Sequence, residues 1–286
     1  MSFFSVASRA DAVPKIAPGE EVVPGYEVVS LMRRGNRLDT YDVYSRERDC
    51  RCVVKVLRPD RQHEESCRTA VVREGELLRD LAHPHLVRAY EVLLEPRTAV
   101  VLETLSGATL GALIEQGPLN PYDTALLGRQ LASVLGYLHR NGWLHLDVKP
   151  SNVVVQAGRA ILIDLSLVSR PGQGRPRAGT DGYLGPEQVT GVDLTAAADV
   201  FGLGVTLGEA LTGELAHGEE TRWRTGTAPR RTTRHFRRRL GEVPAPLVEL
   251  IEACVDPDPA CRPSLVDVRL TLTAAIAAEG DGTSTP

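Results

Sequence analysis

The chain has 286 residues, of which 42% are hydrophobic and 24% are charged, and its formal net charge at pH 7 is −4. This length can bury the core of one large domain or of two lobes, and the composition excludes a disordered or fibrous protein. The acidic balance gives no electrostatic reason to expect nucleic-acid binding, and no apolar run approaches the ~18 residues of a membrane helix.

The first 25 residues predict a flexible leader, because they contain three prolines and no periodic apolar pattern. They also lack the sustained apolar core of a secretory signal, so we expect a cytoplasmic protein. The five cysteines have spacings unlike those of zinc sites, which favours reduced thiols.

The next part of the chain predicts five strands and one helix. The strands are expected at residues 26–32, 40–44, 52–57, 89–94 and 99–102, and the helix at residues 64–82. Lys55 lies in the third strand on the same face as Val53. It is therefore either an edge-strand charge or a buried cation with an anion to meet. Glu74 on the helix is one of several carboxylates that could be that anion or could be solvated.

The second half of the chain is expected to be mainly helical after a connector at residues 103–107. Asn120 is a candidate N-cap, followed by Pro121 at the first helical position and a helix that Asn141 and Gly142 end. Two short strands at residues 153–155 and 160–163 then form a hairpin, which delivers Asp164 at a strand exit, where functional groups are common.

The octapeptide at residues 145–152 places Asp147, Lys149 and Asn152 at positions +2, +4 and +7 from His145. A carboxylate can accept a proton from a hydroxyl nucleophile, a lysine can bind a phosphoryl group in transfer, and an asparagine oxygen can ligate Mg²⁺. Taken alone, this loop predicts a phosphotransferase that acts either on proteins or on small molecules.

In this order the features resemble a eukaryotic-type serine/threonine protein kinase of the kind also found in bacteria, over roughly residues 26–278. The motifs of the first part are Lys55 in C-V-V-K, Glu74, the loop with Asp147, Lys149 and Asn152, and Asp164 in D-L-S. The motifs of the second part are Gly179 to Glu187, similar to G-T-x-x-Y-x-A-P-E, then D-V-F-G-L-G from Asp199, and Arg262 in D-P-A-C-R-P. The motifs of the second part are absent from small-molecule phosphotransferases.

The resemblance implies an α+β protein-kinase fold with two lobes. The small N-lobe, at about residues 26–103, would have a five-stranded antiparallel sheet and one main helix. The larger, mainly helical C-lobe would cover about residues 104–278, and a short polar tail would occupy residues 279–286.

The resemblance also implies ATP and Mg²⁺ as cofactors and transfer of the γ-phosphoryl group to a serine or threonine hydroxyl of a protein substrate. Asp147 would accept the proton of that hydroxyl, and Lys149 would stabilise charge on the transferred group. Asn152 and Asp164 would ligate Mg²⁺. The implied ATP-binding residues are Lys55, Glu74 and Gly35, with adenine between the lobes near Val53, Leu102, Leu105 and Val154.

Three further residues are implied in the activation segment and its support. Thr180 together with Lys149 matches the serine/threonine-directed subtype. In the family, a glutamate corresponding to Glu187 pairs with an arginine corresponding to Arg262.

The loop that covers the phosphates departs from the family pattern. Against G-x-G-x-x-G-x-V, residues 33–40 keep only Gly35. Glycines there let backbone N–H groups approach phosphates, so we expect weaker ATP binding. Arg33, Arg34 or Arg37 either replaces the missing contacts or is simply solvated. This loop favours the rival function, a pseudokinase that acts as a nucleotide-binding or scaffold module.

Two other departures concern regulation. Leu146 replaces the arginine that receives an activation-segment phosphate in many kinases, and residues 165–179 have only Ser166 and Ser169 as hydroxyl side chains. We therefore expect activity that does not depend on phosphorylation of this segment. In D-L-S, leucine replaces the phenylalanine of D-F-G and keeps an apolar side chain. Serine replaces the glycine and restricts the backbone hinge that lets the activation segment change conformation.

The stretch from Arg222 to Arg239 is the most basic part of the chain. It is either a solvated surface or, as in related kinases where this region lies near docking surfaces, a site for an acidic partner.

Overall fold

The computed structural model describes residues 14–172, 174, 176–191, 194–217 and 232–282. The Cα positions form two compact units, the first at residues up to Ala82 and Val87–Leu105, the second at His83–Leu86 and from Ser106 onward. In these described ranges, no helix has both the length and the apolar composition that crossing a bilayer requires. Residues 1–13 of the predicted leader and 283–286 of the predicted tail lie outside the described residues.

The first unit contains a six-stranded antiparallel sheet with the strand order β1-β2-β3-β4-β6-β5. The strands are β1 (Glu21–Val23), β2 (Tyr26–Arg34), β3 (Leu38–Ser45), β4 (Cys50–Leu57), β5 (Ala89–Leu93) and β6 (Ala99–Glu103). Five of them lie where alternating apolar residues predict strands. The antiparallel sheet is therefore as expected, with one additional strand.

The additional strand, β1, lies inside the predicted leader. Val22 and Val23 are buried in the core of the sheet, and Glu21 pairs with Glu27 of β2. Further upstream, the amide of Ile16 donates to the hydroxyl of Tyr41 at 3.1 Å. A strand of three residues is too short to show alternation, so the sequence pattern missed it.

The two faces of β4 differ in burial. Cys52, Val54 and Val56 point into the sheet core, and Val53 and Lys55 lie on the opposite face. Helix α1 (Glu65–Asp80) packs against β5 and β6 of the sheet. The buried residues of α1 are Cys67, Val71, Glu74, Gly75 and Leu78.

The second unit is mainly helical and has a small three-stranded sheet with the order β7-β8-β9. Its elements are β7 (Ala108–Thr109), α2 (Leu110–Ile114), α3 (Pro121–Arg140), β8 (Val153–Gln156), β9 (Arg159–Leu162), α4 (Pro186–Thr190), α5 (Ala196–Thr212), α6 (Arg234–Leu240), α7 (Ala245–Cys254) and α8 (Leu265–Gly282). Asn120 caps α3 as predicted, since its side chain accepts the amide of Asp123 at 2.8 Å. The β8–β9 hairpin also matches its predicted position.

Helix α5 is the most buried helix of this unit. Fourteen of its seventeen residues are buried, and it packs against α3 and α7. Glycines allow this close packing, because a Cβ on Gly204 would lie 2.5 Å from the Cβ of Cys254. Helix α8 packs along α3 and extends to Gly282, beyond residue 279 where the tail was predicted to begin. The alanine-rich run before that point favours helix.

A pair of glycines tests the helix packing. Replacing Gly75 by Ala would place a Cβ 2.6 Å from methyl groups of both Val92 and Val100. We expect Gly75→Ala to lower the free energy of unfolding by about 1–3 kcal/mol, although alanine favours helix. The measurement is urea-induced unfolding followed by circular dichroism.

Gly136→Ala is the matched control on α3. Its added Cβ would meet only the end of the flexible Arg140 side chain, at 3.4 Å. This variant should raise the free energy of unfolding by about 0.5–1 kcal/mol. Equal stabilisation by both variants would contradict the close approach of α1 to the sheet.

Candidate active site

Lys55 and Glu74 form a buried ion pair in the first unit. The Lys55 Nζ lies 2.7 Å from Glu74 Oε1, and the side chains are 13% and 3% exposed. Because β4 pairs with β3 on one side and β6 on the other, Lys55 is not an edge-strand charge. Of the two interpretations left open by the sequence, the structure therefore favours the buried cation that meets an anion.

The turn between β2 and β3 contains the remnant of the glycine-rich motif. The amide of Gly35 donates to the carbonyl of Leu38 at 2.8 Å, and a Cβ on Gly35 would lie 2.9 Å from that oxygen. The Arg34 guanidinium donates to both carboxylate oxygens of Asp39 at 3.1 and 2.9 Å. Arg34 is thus engaged within the sheet, whereas the side chains of Arg33 and Arg37 are exposed.

In the second unit, Asp199 at the start of α5 holds the loop of residues 145–152, which we call the catalytic loop. Its carboxylate accepts the amides of His145 at 2.8 Å and Leu146 at 2.7 Å, and Nε2 of His139 at 2.7 Å. Burial alone would raise the pKa of Asp199, but the hydrogen bonds and charges of His139 and His145 together outweigh it, and the net pKa is lowered. The carboxylate therefore stays ionised in the core.

Leu146 has a φ of 65°, a conformation unfavourable for a branched side chain. The bond from its amide to Asp199 and the bond from Gln188 Nε2 to its carbonyl, at 3.0 Å, hold it there. Its side chain packs with Leu144, Leu194 and Ala198. The motif D-V-F-G-L-G includes Asp199, but nothing in the sequence indicates this anchoring role.

Asp147 is the centre of a hydrogen-bond network in the catalytic loop. Its Oδ1 accepts the hydroxyl of Thr180 at 2.6 Å, and its Oδ2 lies 2.7 Å from Lys149 Nζ and 2.9 Å from Asn152 Nδ2. Lys149 Nζ also donates to Thr180 Oγ1 at 2.5 Å. The structure thus brings together four residues that the sequence predicted for the site.

Asn152 and Asp164 have side-chain oxygen atoms that suit a divalent cation. Asn152 donates through Nδ2 to both the backbone carbonyl and the carboxylate of Asp147, and its Oδ1 accepts no hydrogen bond from the described residues. Asp164 follows β9, and its Oδ1 accepts the amide of Ser166 at 2.8 Å. An amide oxygen and a carboxylate are hard ligands of the kind that Mg²⁺ prefers.

Glu187 and Arg262 form the predicted pair. Arg262 Nη1 and Nη2 donate to the two carboxylate oxygens of Glu187 at 2.6 and 2.9 Å, and the side chains are 5% and 0% exposed for Glu187 and Arg262. Arg262 also donates to the carbonyls of Asp256 and Ala197, and it stacks on the ring of Phe201. The pair joins α4 to α5 and to the turn before α8.

A second polar contact supports the segment after Thr180 and was not predicted. The hydroxyl of Tyr183 donates to Glu209 Oε2 on α5 at 2.5 Å. Burial raises the pKa of Glu209, and burial together with this carboxylate raises the pKa of Tyr183. Tyr183 lies inside the G-T-x-x-Y-x-A-P-E motif, which was the available signal.

The residues predicted around adenine are divided between the two units. Val53 and Leu102 face each other in the register of β4 and β6, and Leu105 also belongs to the first unit. Val154 lies in β8 of the second unit. The predicted adenine site remains a prediction.

Comparisons with known proteins agree with this arrangement. The chain is 33% identical over 243 residues to the serine/threonine-protein kinase PkaA of Streptomyces coelicolor, which covers 80% of this chain and 43% of that protein. It is 32% identical over 212 residues to the serine/threonine-protein kinase PknD of Mycobacterium tuberculosis, covering 71% of this chain and 32% of that protein. The chain thus spans less than half the length of these curated relatives.

A comparison with solved structures supports the fold. The crystal structure of the Mycobacterium tuberculosis PknI kinase domain matches with a TM-score of 0.71 at 21% identity, over 91% of this chain and all of that one. The predicted α+β kinase fold is confirmed. Residues 26–271 also match the family model described as the protein kinase domain. Because that match spans most of the sequence, the chain belongs to the protein kinase family.

Proposed function

We propose that the domain is an active serine/threonine protein kinase, which transfers the γ-phosphoryl group of ATP to a hydroxyl of a protein substrate. The observation that carries this proposal is the bond from the Thr180 hydroxyl to Asp147 beside Lys149. In support of it, the Asp147 carboxylate accepts the Thr180 hydroxyl at 2.6 Å, in the way that it would have to accept a substrate hydroxyl. The proposed domain covers residues 26–278.

Each polar residue of the site has a role in this proposal. Asp147 orients the substrate hydroxyl and accepts its proton as the oxygen attacks the γ-phosphorus and ADP leaves. Lys149 stabilises negative charge on the transferred group. Lys55, oriented by Glu74, binds the α- and β-phosphates of ATP in the first unit.

The family uses ATP with a divalent metal ion, and we propose Mg²⁺ at Asn152 and Asp164. When bound, the ion neutralises charge on the phosphates and orients them. The observation in favour is the oxygen character of both candidate ligands, together with the two bonds that orient the Asn152 amide. A cytoplasmic location, where ATP is available, fits this activity.

The rival function is a pseudokinase, a nucleotide-binding or scaffold domain without turnover. The turn at Gly35 favours it, since only one glycine of the motif remains. The ion pair of Lys55 with Glu74 and the network of Asp147 favour catalysis, because both are complete.

Replacing Asp147 by Asn tests the catalytic role. The amide removes the proton acceptor, so Mg²⁺-dependent phosphorylation of a serine/threonine peptide should fall about 100- to 10,000-fold. The matched control is Asp80→Asn on the exposed end of α1, where the side chain is 68% exposed, and it should retain full activity.

Turnover separates the two candidate functions, and nucleotide-induced thermal stabilisation then separates a nucleotide-binding pseudokinase from an inert scaffold. The kinase proposal expects Mg²⁺–ADP to stabilise wild type and Asp147→Asn alike, with turnover in the wild type alone. Equal background turnover in both proteins, with stabilisation retained, would leave the pseudokinase as the function.

We further propose that activity does not depend on activation-segment phosphorylation. Contacts within the protein already hold the described part of the segment. Leu144 and Ser169 exchange backbone hydrogen bonds at 2.8 and 3.0 Å, and the Arg170 guanidinium lies 3.8 Å from the centre of the Trp143 ring. Leu146, which replaces the phosphate-binding arginine, is packed among apolar residues.

Gln188 on α4 holds the other end of the segment. Its side-chain amide donates to the backbone carbonyl of Ala178 at 2.9 Å as well as to that of Leu146. Its backbone carbonyl accepts the amide of Arg177 at 2.7 Å. These bonds link the segment to the catalytic loop through neutral groups. No phosphate is needed for this link.

The double variant Ser166→Ala/Ser169→Ala should therefore keep activity within about twofold of wild type, and phosphatase treatment should not lower it. Thr180→Ala is the contrasting variant and should lose most activity, because Thr180 bonds Asp147 and Lys149. The measurement is peptide phosphorylation combined with phosphosite mapping by mass spectrometry. A phosphate on Ser166 or Ser169 that proves essential would refute the proposal.

Our third proposal is that the basic stretch from Arg222 to Arg239 is a docking surface for an acidic partner. Residues 222–231 lie outside the described residues, so the proposal rests on α6. Arg234, Arg238 and Arg239 are exposed there, and none of them pairs with a carboxylate in the part of the chain that the structure describes. Phe236 and Leu240 bury the opposite face of the helix and fix its orientation.

The test is binding of an aspartate- and glutamate-rich peptide, followed by fluorescence anisotropy at several salt concentrations. Replacing Arg234, Arg238 and Arg239 by Gln should weaken binding about tenfold, at up to ~1 kcal/mol per exposed pair, and reduce its salt dependence. The control replaces Arg46, Arg51 and Arg79, exposed arginines of the first unit, by Gln with the same change in charge. Equal weakening by both triple variants would indicate non-specific attraction.

A further inference from the structure

Arg58 is a charged side chain in the core of the first unit. It is only 1% exposed and is among the largest fully buried side chains of the described residues. A buried guanidinium is costly unless its donors are paired, so its position calls for an explanation. It follows directly after β4, in the extended conformation favoured before Pro59.

The donors of Arg58 connect the end of β4 to the β2–β3 turn. Nη1 donates to the carbonyl of Gly35 at 3.1 Å, and the backbone amide of Arg58 donates to the carbonyl of Arg37 at 2.9 Å. Nε and Nη2 donate to the two carboxylate oxygens of Asp60 at 3.0 and 3.3 Å. Burial by itself would raise the pKa of Asp60. The hydrogen bond and charge of Arg58, together with the Asp60 backbone amide and Arg61, lower it by more, so the net pKa is below its usual value.

The turn at residues 35–37 is thus bonded to a neighbouring segment through two of its carbonyl groups. Its base is closed by the pair of Arg34 with Asp39 and by the bond from the Gly35 amide to the Leu38 carbonyl. A glycine-rich loop has no such side-chain supports and is free to sample several conformations. In this chain the bonds from Arg58, the Arg34–Asp39 pair and the Gly35–Leu38 bond restrain the turn to one conformation.

The turn and Lys55 belong to the same pair of strands. In the register of β3 and β4, Thr40 lies opposite Lys55 and Leu38 lies opposite Leu57. A fixed turn therefore has a fixed position relative to the lysine proposed to bind the phosphates. A support that is already ordered does not lose conformational entropy when the nucleotide binds.

We propose that Arg58 is a positioning residue for ATP. It holds the turn at Gly35–Arg37 as a rigid support for the phosphates, where related kinases use a mobile glycine-rich loop. This proposal rests on the proposed function as an ATP-dependent kinase. Arg58 has no contact with ATP in this role and acts only through the backbone of the turn.

The first measurement is amide hydrogen exchange of the wild-type protein without nucleotide. The amides of Gly35 and Arg58 should exchange at least tenfold more slowly than the exposed loop amides of the same unit, because both are bonded across the turn. Exchange of these amides at the rate of an open loop would overturn the proposal without any substitution.

The second measurement compares Arg58→Lys and Arg58→Gln with wild type in steady-state kinetics. Lysine keeps the charge near Asp60 but lacks the planar fork that donates to both Asp60 oxygens and to Gly35, and glutamine loses the charge. We expect the KM for ATP to rise about tenfold in Arg58→Gln and less in Arg58→Lys, with kcat within about twofold of wild type. The same variants should speed exchange of the Gly35 amide.

The control is Arg46→Gln, which removes an exposed arginine beyond the opposite end of β3. It should leave the KM for ATP and the exchange of Gly35 unchanged. A fall in thermal stability of the Arg58 variants with unchanged KM would show a structural role alone and would overturn the proposal.

The two proposals fail in distinguishable ways. If the wild type has no turnover, the kinase proposal fails, and the effect of Arg58→Lys on the affinity for Mg²⁺–ADP then tests Arg58 by itself. Weakened ADP binding with faster exchange of Gly35 would support the positioning role, and unchanged ADP binding would refute it.

Discussion

The catalytic loop depends on one buried carboxylate, that of Asp199. Two consecutive backbone amides and a histidine converge on it. The loop needs this anchor because Leu146 has a left-handed conformation that costs about 1–2 kcal/mol for a branched residue. Without the two amide bonds the backbone would relax, and Asp147, the next residue, would leave its network. The chemistry of the loop is therefore supported from the start of α5.

Two buried ion pairs, one in each unit, join segments that are distant in the sequence or differently folded. Lys55 with Glu74 joins a strand to a helix, and Glu187 with Arg262 joins two parts of the helical unit that are 75 residues apart. Breaking a buried pair leaves an uncompensated charge, which costs about 3–5 kcal/mol. Such pairs specify the arrangement of the segments more than they add to stability. They fix the positions of side chains to which the proposed function gives a role.

Much of this site could be predicted from the sequence, because its chemistry is local. Asp147, Lys149 and Asn152 lie within six residues, so their spacing on a tight loop already places them close to one another. Five of the six strands of the larger sheet were predicted by alternation, the α3 cap by Asn120 before Pro121, and the β8–β9 hairpin by two short apolar runs. The missed features depend on distant partners instead. Strand β1 forms by pairing with β2. The role of Asp199 depends on its bonds to the catalytic loop, and that of Arg58 on its bond to a turn more than twenty residues earlier in the chain.

The departures from the family pattern share one physical theme. At the β2–β3 turn, glycines are replaced by a turn that side chains of Arg34 and Arg58 hold in place. At Leu146, a cation that would need a phosphate partner is replaced by an apolar side chain that is satisfied by its neighbours. In both places a group that would change state during binding or regulation gives way to contacts that are complete within the chain. Since an equilibrium can be shifted only where two states differ in their contacts, these replacements remove places where such a shift could act. The proposals for these two places therefore describe a domain whose site keeps one constant state.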